Sequence, residues 1–512
     1  MGGLLEDHRS AAHSMVAAGN GRSGFARGSA TTGVSQCSRG GGANDRHVST
    51  VSRVATIDQP DFFEPIQSTL GTMAQLQRTL GPVLIWGLGV GYVISGMYFG
   101  WNLGLPEGGP YGMLVATGIV TILYISFVLG YAELACALPR AGGAFVYTSR
   151  AFGPDVGFVG GIAQLVEYVL APPAIAFAIG SYINQAFGLP IHLVAIVAYI
   201  VFTIVNIWGV KISVGFELVL TVVAVIELTV FGIVVLPKFS WAQFSADPLP
   251  HGWGTGVFAA LPFAMWFYLA IEGIANVAED ARNPQRDLPR GFLWAMATLV
   301  LLTIVTLFGA VGTAGWHAVV YPDPANTHVT SDSPLPLAVG HVVSRESPLF
   351  VVLTGIGLIG LVASFHGILI AGSRAILEFG RAGYAPKILG EINVRTSTPV
   401  PALLGNLVVG LIMLATSKTG DVILIAVMGA LTLYILSSAA VIRLRRREAG
   451  LERPYLAPLY PVTPVLACGL SVITLVSMIW AHPKLAIVYA GILLGTWGLF
   501  RAFVPPERRT TF

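Results

Sequence analysis

The sequence predicts an all-α polytopic membrane protein of twelve transmembrane helices, arranged as two inverted five-helix repeats, each opening with a broken helix. Three observations predict it: a shortage of charge, twelve apolar stretches of spanning length, and paired helix interruptions five helices apart. The 512 residues are 54% hydrophobic and 11% charged, whereas a soluble domain carries about 25% charged residues. So few charges cannot cover a water-facing surface. The net charge of +3 makes no electrostatic case for nucleic acid. Cys37, Cys136 and Cys468 are scattered, with neither metal-ligand spacing nor a disulfide framework. No cofactor or metal motif is read from the chain.

Crossing the hydrocarbon takes about 20 apolar residues as a helix. Such stretches run at about 82–104, 111–137, 156–183, 191–209, 213–236, 256–279, 290–314, 349–379, 400–416, 421–441, 463–481 and 485–504. Basic residues set the orientation, because Lys and Arg collect on the cytoplasmic side. With the N-terminus inside, 25 of the 29 Lys and Arg fall on inner segments, and only Lys238, Arg345, Lys418 and Lys484 fall outside. Both termini are therefore expected in the cytoplasm, with the chain in a plasma membrane, the inner membrane of a bacterium. The run Arg443–Arg447 is expected to anchor the tenth span against inner-surface lipid.

Residues 1–72 are rich in Gly, Ser, Ala and Arg and hold no spanning run, which reads as a disordered cytoplasmic tail. Met73 opens a compact lead into the first span, so it is also read as the natural start, with 1–72 a mis-called extension. The membrane-embedded domain is expected over 73–505. Its helices 1–5 occupy about 82–236, helices 6–10 about 256–441 and helices 11–12 about 463–504, with 506–512 a cytoplasmic C-terminus.

The first span carries five glycines between Trp86 and Asn102. Each weakens a helix by about 1 kcal/mol relative to alanine, although glycine also serves close packing in membranes. The expected break is Ile94-Ser95-Gly96. The sixth span carries Glu272 followed by Gly273, after Pro262. A charge at the bilayer centre costs about 3 kcal/mol or more, so Glu272 is expected to face a cavity or a partner. Paired interruptions at corresponding positions point to an inverted-repeat secondary transporter with its site at the midplane. Unwound backbone there offers N–H and C=O groups to a polar substrate.

Several motifs carry a family resemblance over about 74–505. Ile94-Ser95-Gly96, the segment Glu133–Phe145 (ELACALPRAGGAF), the segment Glu279–Pro289 (EDARNPQRDLP), and Ser373-Arg374 with Arg381–Pro386 (RAGYAP) resemble the amino acid–polyamine–organocation superfamily of transporters. The resemblance implies a LeuT-type five-plus-five inverted repeat with helices 1 and 6 broken. More narrowly, Val93–Asn102, Gln164–Pro172 and Trp266–Gly273 resemble the ethanolamine permeases. Two positions depart from the pattern. Ala270 stands where many relatives carry glycine, and Met97 where many ethanolamine permeases carry a polar or acidic residue.

The resemblance implies a substrate site built from Ile94, Ser95, Gly96, Met97 and Tyr98 of the first span, Glu167 and Tyr168 of the third, and Trp266, Ala270, Ile271, Glu272 and Gly273 of the sixth. Ethanolamine is a cation with a hydroxyl and no carboxylate, so extra acidic groups favour it over an amino acid. Glu167, Glu227 and Glu272 are intramembrane carboxylates, and such groups are functional candidates by default. Glu227 lies about where many sodium-independent relatives carry a lysine. Glu227 and Glu272 are the candidates for proton coupling, with the proton as coupling ion in symport or exchange. Trp266, Tyr98, Phe99, Tyr168 and Phe267 lie near the breaks, and an ammonium over an aromatic face gains about 0.5–2 kcal/mol. His366 in the eighth span is read as a packed neutral histidine. The expected function is thus import of ethanolamine by alternating access. A broader amino-acid permease is the alternative, and a transporter-like nutrient sensor the alternative of another class. An enzyme is not expected, since no nucleophile–base or metal constellation is present. Expected partners are the small-molecule substrate, the proton and membrane lipids.

Overall fold

The computed structural model describes residues 78–246, 253–323, 325–416 and 419–509. The expected tail 1–72 and the start at Met73 lie outside the described residues.

Every expected span falls on apolar helix. The major elements are α1 (Pro82–Val93), α2 (Ser95–Tyr98), α3 (Leu105–Ala137), α4 (Ala144–Phe152), α5 (Pro154–Phe187), α6 (Ile191–Ile207) and α7 (Val210–Val235). They continue as α8 (Trp253–Ala264), α9 (Pro284–Ala314), α10 (Pro348–Arg381), α11 (Val400–Thr416), α12 (Thr419–Arg447), α13 (Val462–Ala481) and α14 (Pro483–Phe503). Among the described residues, nine helical stretches are long and apolar enough to cross a membrane, and three shorter apolar helices accompany them. The chain is an all-helical, multi-pass membrane protein.

Burial explains which helices matter. α5 packs against α10 and α12, α12 also meets α3, and α1 meets α7, α9 and α10. Apolar side chains face outward instead of inward on the peripheral helices: Val219 and Ile226 on α7, Leu301 on α9, Val408 on α11 and Ile487 on α14 are all exposed. Lipid is their solvent, so exposure there carries no hydrophobic penalty.

Three of the family-like motifs meet at one end of the bundle. The Glu279 carboxylate accepts from the Ala141 N–H (3.2 Å) and pairs with Arg381 (3.2 Å). Arg374 Nε donates to Asp280 at 2.8 Å, with both side chains buried. Glu133 at the end of α3 pairs with Arg445 of the basic run and accepts from the Ala457 N–H. Arg443 lies over the Phe152 ring at 4.9 Å. The start of the first span is tied to the same end by backbone and by one side chain, Arg282 Nε donating to the Thr79 carbonyl at 3.0 Å. Thr79 and Leu80 donate to the Asp280 carbonyl, and Arg282 N–H donates to Leu80.

Candidate substrate site at two broken helices

The first break is longer than expected and centred later. At Ile94 the backbone stays in the right-handed helical region (φ −60°, ψ −22°), and α2 resumes at Ser95. The chain leaves the helix only at Phe99 (φ −163°) and Gly100 (φ 89°). The positive φ suits glycine, and a Cβ at Gly100 would also collide with the Trp266 indole. Ile94-Ser95-Gly96 is therefore a hitch, and Phe99-Gly100 is the turn. The sequence reading placed the weak point at the small-residue pair, whereas the close approach of Trp266 decides where helix ends.

The second break falls where it was expected. α8 ends at Ala264, a 3₁₀ turn covers Met265–Phe267, and Ala270 sits in the left-handed region (φ 77°, ψ 10°). The remainder, Ile271–Asp280, is a 3₁₀ helix. A left-handed alanine costs about 1–2 kcal/mol, so the departure from glycine at Ala270 stores strain at the break. The Ala270 carbonyl accepts from Gly273 N–H at 3.0 Å.

The two breaks touch directly. A Cβ at Gly96 would collide with the Trp266 carbonyl. Trp266 meets Phe99 edge-on at 5.4 Å, and Phe267 stacks on Trp101 at 5.5 Å. The indole N–H of Trp266 is buried without a hydrogen-bond partner. Beside this aromatic seam lies the acidic centre. Tyr168 and Tyr434 each donate to one oxygen of Glu272, both at 2.9 Å. The Tyr434 hydroxyl is also 3.2 Å from that of Tyr124. The Glu167 carboxyl interacts with that of Glu272, and the Ala270 N–H faces it. Yet neither Glu167 oxygen makes a hydrogen bond of normal geometry. Glu167 and Glu272 are both fully buried. Two carboxyls so placed cannot both hold charge unless a cation or proton joins them.

Not every expected residue joins this centre. Ser95 turns toward α10, where Ser364 Oγ lies 2.7 Å from its hydroxyl and 2.6 Å from the Tyr92 carbonyl. Met97 faces α9, its sulfur accepting from Thr303 at 3.7 Å. Tyr98 turns to α7 and donates to Glu227 at 2.5 Å. Glu227 therefore forms a separate site, against a cavity with room for about one water lined also by Tyr182 and Thr354. His366 is held between Asn206 and Ser213, each at 2.9 Å, as a packed histidine. In the loop before residue 334, Thr419 donates to Asp332 at 3.0 Å, and burial pushes the Asp332 carboxyl up to about 6.

Sequence reasoning missed Tyr124, Tyr434 and Glu217. The tyrosines gave no signal, since their partners come from distant spans. Glu217 gave one: it is a carboxylate inside an apolar run, the same criterion that found Glu227.

The amino acid permease family profile matches residues 80–498. The chain belongs to that family. It is 28% identical to the branched-chain amino acid permease BcaP of Lactococcus lactis subsp. cremoris, over 79% of this chain and 90% of the relative. It is 24% identical to the methylthioribose transporter of Bacillus subtilis, over 77% and 87%. It is 29% identical to the human cystine/glutamate transporter, over 69% and 72%. This amino acid permease family member is a transporter and not an enzyme, and its two broken helices lie inside the matched region.

Proposed function

We propose that the protein is a secondary active transporter that imports ethanolamine, a small aminoalcohol cation, across the bacterial inner membrane. On this reading it has twelve spans in two inverted five-helix repeats, both termini in the cytoplasm, and works by alternating access with a proton as coupling ion. One observation carries the substrate class. Glu167 and Glu272 meet at full burial, and no basic side chain among the described residues interacts with either. An ammonium between them supplies the missing positive charge. Its hydroxyl can take a backbone N–H near the first break or the orphaned Trp266 N–H. A carboxylate on the same substrate would be repelled by the pair unless the backbone donors at Ser95 and Gly96 captured it.

Labelled ethanolamine uptake into proteoliposomes tests this, with neutral and basic amino acids as competitors. Uptake that persists in excess amino acid is the expected result. Competition by amino acids that are themselves carried would replace it with a second reading, a broader amino-acid permease. The similarity to BcaP favours that reading. Glu227→Gln is expected to alter the pH profile of uptake, and an unchanged profile would remove Glu227 from proton coupling.

A further inference from the structure

A third acidic site lies apart from the two described above. Glu217 of α7 is fully buried and neither of its oxygens has a hydrogen-bond partner. It points into the seam between α1 and α10. A Cβ added at Gly91 of α1 would collide with Glu217 Oε1, and one at Gly367 of α10 would lie 2.8 Å from it. The carboxyl is thus pressed flat against the backbones of two helices. Only glycine permits that approach on either side.

The surroundings contain no counter-charge. Among the described residues no charged group contributes to the electrostatics of Glu217. The titratable neighbour is Tyr92 of α1, whose hydroxyl is also buried without a partner. On α10, His366 is held by Asn206 and Ser213, and Arg374 is committed to Asp280. Thr221, one turn along α7, spends its hydroxyl on the Gly87 carbonyl at 3.1 Å. Among the described residues no cluster of His, Cys, Asp or Glu gathers here to hold a metal ion. A proton needs only the carboxyl itself.

We propose that Glu217 is a proton-binding site of the carrier, and that its protonation governs whether the first half of the broken helix 1 can close against α7 and α10. The inference rests on the proton-linked reading and names a residue for it. An ionised carboxylate shut into this seam would carry a large desolvation penalty. A neutral one would not, so closure takes up a proton and ionisation drives α1 away from Glu217 until water reaches it. The polar ties that oppose opening at this level are weak: Thr221 to Gly87 and Ser364 to Tyr92 are neutral hydroxyl-to-carbonyl bonds. Glu217 therefore links proton release to the movement of the helix that carries the substrate break.

The test compares Glu217→Gln and Glu217→Asp with wild type in proteoliposomes. Two assays are run: accumulation driven by an imposed pH gradient, and counterflow exchange without one. Glu217→Gln is expected to lose gradient-driven accumulation by about tenfold more than it loses counterflow, the size of a site-to-site coupling. Glu217→Asp keeps a carboxyl and is expected to accumulate with a displaced pH profile. Wild-type accumulation and pH profile in either variant would overturn the proposal. So would a wild type driven by a sodium gradient and indifferent to pH. Absence of ethanolamine transport by the wild type would sink the substrate reading alone, because the same paired assays on whichever amino acid it carries still read Glu217.

Discussion

The charges at the loop-bearing end of the bundle and the charges at membrane depth obey different rules. At the loop end acids have bases: Glu133 with Arg445 and Arg453, Asp280 with Arg374, Glu279 with Arg381, and Glu448 with Arg150. At depth, Glu272 has two tyrosines, Glu227 has one, and Glu167 and Glu217 have no hydrogen bond. A permanently paired charge holds shape and needs nothing further. A buried carboxyl with no base is costly in every state except one that brings it a cation or a proton. The first region latches the molecule, and the second is left without a base.

The largest effect that would break this contrast lies at the acidic centre. Removing one member of a buried charged contact costs about 3–5 kcal/mol, so Glu272→Gln is expected to cut initial ethanolamine uptake by about a hundredfold or more. Near-normal rates would reduce this carboxyl to a packing element. Next comes the latch. Arg374→Met strands Asp280 in a dry site and should lower stability by about 3–5 kcal/mol, read by thermal unfolding in detergent. Adding Asp280→Asn should return most of that loss, and failure to do so would mean that the pair is not an isolated unit.

A smaller effect tests a half-way case, an acid at the edge of the bundle with a hydroxyl but no base. Burial raises Asp332 to about 6, above the usual carboxylate value of about 3.9. Ionisation therefore disfavours the folded loop. Stability is expected to fall as pH rises between those two values and to level off above about 6. Asp332→Asn should flatten that segment of a pH–stability curve. The smallest effect is conformational: Ala270→Gly should relieve the left-handed backbone and stabilise by about 1 kcal/mol, with the uptake rate reporting whether the strain serves transport.

Much of the fold was legible in the sequence because lipid imposes simple rules. Among the described residues nine apolar runs form helical stretches of spanning length and three form shorter helices, and Pro262, Glu272 and Gly273 located the second break to within a few residues. Charge at depth singled out Glu167 and Glu272, but neither their pairing nor its tyrosine cage. Tyr124, Tyr168 and Tyr434 come from three different helices, and no local pattern announces which face of a helix meets another. The first break starts at Ile94, as expected, but its extension to Phe99-Gly100 was not foreseen, for the same reason. Glycine content marks where a helix is weak, whereas the Trp266 ring, far along the chain, fixes where it bends. Glu217 was passed over although it met the criterion that found Glu227; the seam between α1 and α10 buries it.

The tie between Thr79-Leu80 and Asp280 to Arg282 is made of three peptide hydrogen bonds and one from the Arg282 side chain. Its peptide part is blind to side-chain chemistry. An alanine scan would register the Arg282 side chain and the buried Leu80 but pass over the peptide bonds themselves, and sequence drift at Thr79 would leave those in force. Proline is the exception, since it lacks the donor. A survey that ranks residues by substitution sensitivity would therefore score Thr79 as dispensable, although its N–H helps to fasten this end of the bundle.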